Sequence, residues 1–353
     1  MTAVSAARDE SGADAAPAFR MPAEWAPHER CLMAWPTRQA LWGDEFEPVK
    51  KEYAAVARAI ARFEPVLMAA LPAGAADARR MCGPNVEVVE FPLDDSWLRD
   101  SGPIFVLGPN GERAGVDFRF NAWGERFHPY ADDDRFPQRV LAHLGITRRP
   151  SSMVLEGGSI AVDGEGTLIT TEQCLLNPNR NPTWTRDEIE GELKRRLGVE
   201  TIIWLPYGVA EDSVTDGHVD GVCAFVRPGV VLLQTVAERS DPNWERAAAN
   251  RRRLADARDA AGRRLEVIEM PYLPRVEVGG RSVRVPPVNF YVANGAIIAP
   301  TAENAIDGAI LDLLAAAFPE REIVPVTARV IGYGGGGIHC ITQQVPATRR
   351  NDA

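Results

Sequence analysis

Four times along this chain an apolar strand reverses through a tight-turn signal: Pro103-Ile104-Phe105-Val106 through Pro109-Asn110-Gly111, Ser159-Ile160-Ala161-Val162 at Asp163-Gly164, Val222-Cys223-Ala224-Phe225-Val226 at Pro228-Gly229, and Asn289-Phe290-Tyr291-Val292 at Asn294-Gly295. Asn-Gly and Asp-Gly suit these reversals because tight hairpins need positive φ. Amphipathic stretches recur at similar distances, over residues 45–63, 186–197, 243–264 and 303–318. Thr185 and Glu188 have the spacing of a capping box at the start of the second stretch. Each stretch leads to another apolar strand, at residues 66–70, 201–205, 265–270 and 322–326. A unit of about 60 residues points to a radial or stacked architecture. The pattern predicts an α/β fold of repeated strand-strand-helix-strand units. The plain alternative is an α/β sheet without internal symmetry.

The polar motifs keep a fixed place in this repeat. Asp94-Asp95-Ser96-Trp97-Leu98-Arg99-Asp100 precedes the first hairpin, Leu155-Glu156-Gly157-Gly158 the second and Asp216-Gly217-His218-Val219-Asp220 the third. Near the end, Gly334-Gly335-Gly336-Gly337-Ile338-His339-Cys340 takes the equivalent place. Equivalent positions in a radial repeat converge on one axis, so Asp100, Glu156, His218, Asp220 and Cys340 are expected at one site. Four consecutive glycines are entropically costly, and they mark backbone that passes close to something.

His218 and Asp220 are two apart; on a strand they would share a face, with Cα atoms roughly 6.5 Å apart. An ionisable pair at the mouth of a core strand suggests function, with a structural ion pair as the rival. A metal site is the weaker rival, because His28, His128 and His143 stand in no ligand spacing. Cys31 and Cys223 read as small buried hydrophobes. Cys340 differs, because the glycines open the space before it. His339 is expected on the opposite face of any strand and reads as structural.

Carboxylates around a thiol raise its pKa, the reverse of what a nucleophile needs. A cationic substrate removes the conflict. A guanidinium offers a planar fork of donors that two carboxylates match, and its charge lowers the thiol pKa. Trp97 offers a stacking face for such a cation. The residues therefore point to attack on a guanidinium carbon, with no metal and no cofactor.

Other chemistries fit poorly. The formal net charge of −10 disfavours nucleic acid and anionic membrane as partners. No apolar run approaches the ~20 residues of a membrane span. Lysines occur only at positions 50, 51 and 194, none in a glycine-rich loop, which excludes a P-loop. Five scattered cysteines without a CxxC, and no signal-peptide pattern, lead us to expect reduced thiols in the cytoplasm. Residues 1–20 read as a disordered lead-in, and residues 21–353 as one catalytic domain; a homo-oligomer is compatible with both.

Several stretches together resemble the agmatine deiminases, relatives of bacterial peptidyl-arginine deiminases within the guanidino-group-modifying (pentein) superfamily. They are Met21-Pro22-Ala23-Glu24-Trp25, Asp95 through Pro103, Asn121-Ala122-Trp123-Gly124, Leu155 through Ser159, Leu175 through Pro182, Gly217-His218-Val219-Asp220, Asn289-Phe290-Tyr291 and Gly336 through Cys340. The resemblance implies a five-bladed pseudosymmetric α/β propeller. It implies Cys340 as nucleophile, His218 as general acid/base, Asp100 and Asp220 as guanidinium clamps, and Glu156 orienting His218. Trp97, Trp123 and Gly337 would line the substrate channel. It implies agmatine, a small cation, as substrate, with a peptidyl-arginine or another guanidine as alternatives. An amidinotransferase and a non-catalytic guanidinium binder are rivals of another class. The chain departs from the family's usual pattern at Glu125-Arg126-Phe127-His128 and at Pro286-Pro287-Val288, segments expected near the channel.

Overall fold

The computed structural model describes residues 19–348, so the lead-in expected over residues 1–20 falls almost wholly outside the described residues. Arg20, the last residue of that stretch, exchanges two backbone hydrogen bonds of 2.9 Å with Leu107.

The repeat is real, and it closes into a ring. In four units a strand pairs antiparallel with the next, which pairs parallel with a third. These are Ile104–Leu107 with Arg113–Arg119 and Thr147–Val154; Ile160–Val162 with Thr167–Thr171 and Thr201–Leu205; Cys223–Arg227 with Val230–Thr235 and Glu266–Pro271; and Tyr291–Ala293 with Ala296–Thr301 and Glu322–Thr327. The fifth unit is split between the chain's ends. Its first strand, Thr342–Pro346, pairs antiparallel with His28–Ala34, which pairs parallel with Val66–Ala70. A helix links the second and third strands of each unit, as parallel strands require. These helices are Phe136–Leu144, Arg186–Leu197, Asn243–Asp256, Asp307–Ala317 and, in the split unit, Phe46–Ile60. The result is a five-bladed α/β propeller.

Local sequence explains these elements. Gly111 and Gly295 turn their hairpins at φ +81° and +79°. Thr185 and Glu188 do form a capping box on Arg186–Leu197. On Phe46–Ile60 the buried side chains Val49, Tyr53, Val56 and Ile60 recur at helical spacing and face the core. Each such side chain stabilises the fold by about 1.5–3 kcal/mol when fully buried. Strands covered on both faces carry unbroken apolar runs, as in Val66–Ala70, buried throughout.

Three features depart from the sequence pattern. The helix expected over 243–264 stops at Asp256, because Asp259 accepts from Ala261 N and Arg263 N and folds that segment into a turn. The split unit gains a helix, Pro72–Cys82, and a fourth strand, Val86–Glu90. A small hairpin, Val276–Val278 with Arg281–Val283, stands apart from the five sheets.

What positions the site is the segment just before each unit's first strand. There the chain makes a single helical turn at Leu98–Ser101, Gly157–Ser159, Val219–Gly221 and His339–Ile341, and the fourth unit carries Asn289 at the same place. His218 and Asp220 therefore do not share a strand, as the sequence suggested. Their strand begins only at Cys223, and the 3₁₀ turn around Val219–Gly221 sends both side chains inward.

Candidate active site

Three of the expected groups meet above one glycine. A Cβ placed on Gly158 would lie 2.7 Å from His218 Nδ1 and 2.9 Å from both Asp100 Oδ1 and Asp220 Oδ2. Only glycine leaves that space open. Cys340 joins them, its Sγ 3.4 Å from Asp220 Oδ2 and 3.4 Å from Asn289 Oδ1. Of the five cysteines, four are buried and Cys340 is partly exposed.

Each carboxylate is fixed by different partners. Asp100 accepts from Gly158 N and from Trp123 Nε1, both at 2.9 Å. Burial pushes its carboxyl up to about 6, against the pull of the nearby His218 charge. Asp220 is held below the usual carboxylate range: burial opposes this, but the hydrogen bond and charge of His339 outweigh it. Glu156 is held down to about 2, burial again opposing, by the Arg180 guanidinium bonded to it at 2.5 Å. Both of those side chains are fully buried, and a carboxylate that strongly paired stays ionised.

His218 lies 3.7 Å from Asp100 Oδ1 through Nδ1 and 3.9 Å from Glu156 Oε2 through Nε2. Burial works against its charged form, yet the Asp100 charge and its other neighbours hold its pKa well above the ordinary histidine value. The Cys340 thiol goes the other way. Burial and the charges of Asp220 and Asp100 push it well above its ordinary value, so the free site favours a thiol over a thiolate. That is the conflict expected from the sequence, present in the fold.

Cys174 also approaches this group. One ligand atom each from Glu156, Cys174 and His218 lies within 4.8 Å of the others. Such a trio suits a metal ion in spacing. Arg180 argues against a dication here, because its buried guanidinium already sits on Glu156 as a fixed positive charge.

Two cavities open on Cys340. The wider one, about 240 Å³, is lined by His218, Asp220, Asn289, Cys340, Tyr272 and Arg281 among others. The narrower is an aromatic slot walled by Trp97, Trp123, Phe127 and Val214 together with Asp100 and Cys340. The glycine run separates them, and its bareness has a cause: a Cβ at Gly334 or Gly336 would collide with the Trp42 or Trp97 ring. Gly337 lies against Asn289 rather than among the residues walling either cavity. The two departing segments do reach the cavities, through Phe127 and Pro286.

Sequence reasoning passed over three groups. Asn289 accepts from His339 N and Cys340 N, at 3.0 and 3.3 Å, and donates to Asp220 O at 3.1 Å, so it ties the Cys340 backbone to that of Asp220. Its place before the fourth hairpin matched that of His218 before the third, which was the available signal. His339 was expected on the far face of a strand. It lies instead on the helical turn His339–Ile341 with Nδ1 3.0 Å from Asp220 Oδ2. Arg180, within the asparagine-rich loop after Leu175, had no signal beyond its motif.

Comparison with known proteins places nearly the whole described chain in one family. The pattern of the Porphyromonas-type peptidyl-arginine deiminase family matches residues 20–346. An agmatine deiminase of Pseudomonas aeruginosa is 47% identical over 356 residues, covering 94% of this chain and 96% of the relative. Among solved structures, the agmatine deiminase of Enterococcus faecalis superposes with a TM-score of 0.90 at 35% identity, covering 94% of this chain and 96% of its own. A cysteine-to-serine variant of the C. jejuni agmatine deiminase with substrate bound superposes at 0.87, with 26% identity over 96% of this chain and 99% of its own. With its family pattern matched from residue 20 to the closing strand, the chain belongs to the Porphyromonas-type peptidyl-arginine deiminase family.

Proposed function

We propose that this protein hydrolyses agmatine to N-carbamoylputrescine and ammonia, a step towards putrescine and the polyamines. The observation that carries the reading is the convergence of Asp100, Asp220 and His218 on one point above Gly158, beside the partly exposed thiol of Cys340. Full-length similarity to agmatine deiminases supports the substrate.

The guanidinium docks between Asp100 and Asp220, and its charge favours the Cys340 thiolate that the empty site disfavours. The sulfur attacks the guanidinium carbon. The departing nitrogen takes a proton from His218 and leaves as ammonia, which gives an S-linked thiouronium. Water, its proton taken by His218, attacks the same carbon; the C–S bond breaks and the ureido product leaves. Glu156, pinned by Arg180, orients His218. Trp97, Trp123 and Phe127 make a dry slot suited to a butyl chain. These roles call for no cofactor, and the free thiols suit the cytoplasm.

The test is ammonia release from agmatine, free arginine and an arginine-containing peptide, with the product identified by mass. Release from agmatine in preference to the others is expected. Release from arginine or peptide alone would keep the chemistry and overturn the substrate.

A further inference from the structure

Behind Asp220, on the side away from the wide cavity, His339 sits between two carboxylates. Its Nδ1 lies 3.0 Å from Asp220 Oδ2 and its Nε2 2.8 Å from Glu24 Oε1. An ionised carboxylate only accepts hydrogen bonds. Two such contacts on one imidazole are satisfied together only when both ring nitrogens carry protons. Glu24 comes from the segment before the first strand of the ring, outside the repeat that supplies the other site groups. His339 and Asp220 are themselves buried, so the imidazolium lies in a low-dielectric setting where its charge acts strongly.

We infer that Glu24 and His339 form a positioning pair, in which Glu24 keeps His339 as an imidazolium and His339 in turn holds Asp220 ionised and aimed at the substrate cation. The inference rests on the guanidinium chemistry proposed above. Neither member reaches the 240 Å³ cavity, whose wall includes Asp220 but neither His339 nor Glu24. Without the pair, Asp220 would meet burial and the neighbouring Asp100 charge with His218 as the one imidazolium left between them; two buried carboxylates in one pocket resist joint ionisation. His339 supplies the compensating charge before substrate arrives, so the clamp is already formed.

The charged groups facing the pair are few. Glu24 lies 3.7 Å from Arg99 Nη1, and its backbone carbonyl accepts from His28 Nε2 at 2.9 Å. Arg99 Nε donates to the His339 carbonyl at 3.3 Å. Around Asp220 stand His218, Asp100 and Cys340. Burial and Arg99 push the His339 pKa down, but Glu24 and Asp220 prevail and raise it; Glu24 is held down to about 2, burial opposed by His339 and Arg99.

Two measurements on the full chain test this. Histidine labelled with ¹⁵N, followed by NMR against pH, reads the ring directly and needs no substrate; His339→Asn assigns the signal. An imidazolium at pH 7 in the parent protein, lost in Glu24→Gln, is expected. A neutral His339 ring at pH 7 would overturn the pair whatever the enzyme acts on. The second measurement is the pH profile of kcat/KM for agmatine. In His339→Asn and in Glu24→Gln, Asp220 loses its compensating charge and should titrate together with Asp100, so the acid limb should steepen and move up by about one pH unit, mostly through KM, while the melting temperature stays near the parent's. Glu24→Asp should recover most of the parent profile. Equal loss at every pH would reduce the pair to packing. Absence of agmatine turnover in the parent would count against the proposed substrate and leave the NMR result standing.

Discussion

At the residue scale, Asp100 is the most exacting test of the proposed clamp. Its two oxygens are already spoken for by Gly158 N and Trp123 Nε1, so its geometry is set before substrate binds. Asn at this position keeps the size and loses the charge. A hydrogen bond to a charged group is worth about 1.5–3 kcal/mol, so Asp100→Asn should lower kcat/KM by roughly 10- to 150-fold, largely through KM. An unchanged KM would remove Asp100 from the clamp. The Asp100 carboxyl, raised to about 6, must be ionised to hold a cation, so activity should fall as pH drops through that region. Cys340→Ala, by contrast, should abolish turnover and leave agmatine binding, measured by calorimetry, nearly intact. These residues were legible in the sequence because ionisable side chains sat at equivalent points of a repeat. Asn289 and Glu24 were not. An amide carries no titration signal, and Glu24 lies outside the repeat and reaches the site only through His339.

At the element scale, the short helix Arg329–Tyr333 leads directly into the glycine run, and its start is held from another blade. Glu52, on the helix Phe46–Ile60, accepts from Val330 N at 3.0 Å and Ile331 N at 2.8 Å. Burial pushes the Glu52 carboxyl up from 4.5 to about 7, although those backbone donors pull it down. The folded protein thus binds a proton on Glu52 more readily than the unfolded chain does. Stability from this source is complete below pH 4.5 and is lost as pH rises through 7. Across that window the loss is at most about 3 kcal/mol. Glu52→Gln should flatten the melting-temperature profile between pH 5 and 7.5; a profile as steep as the parent's would assign the pH dependence elsewhere. Elements whose limits are written locally were legible, as the capping box of Arg186–Leu197 shows. The early stop of Asn243–Asp256 was not, since it depends on Asp259 closing a turn. The helical turns before each first strand were also hidden. A single turn has no periodicity to read, and the misplacement of His218, Asp220 and His339 on strands came from that.

At the scale of the whole molecule, ring closure joins distant ends of the chain. Strand Thr342–Pro346 completes the sheet begun at His28–Ala34, and Ala347 N donates to Pro27 O at 2.8 Å. Cys340 lies on the turn that immediately precedes this last strand, so the seating of the strand sets where Cys340 stands. If the five units are equivalent structurally, the position of the split is free to move. A circular permutant that joins Ala353 to Met1 and opens the hairpin turn between Asn110 and Gly111 puts the break in an exposed turn and leaves every sheet pairing intact. The described ends already meet, since Ala347 pairs with Pro27, so the join spans little distance. Loop closure costs only modest entropy and grows slowly with length. The permutant should fold cooperatively and keep agmatine turnover within a few-fold of the parent, read by thermal melting and ammonia release. A folded but inactive permutant would mean that tension from the split blade helps set the Cys340 turn. An unfolded one would mean that the pairing of the two ends has to form late, after the other four blades are in place.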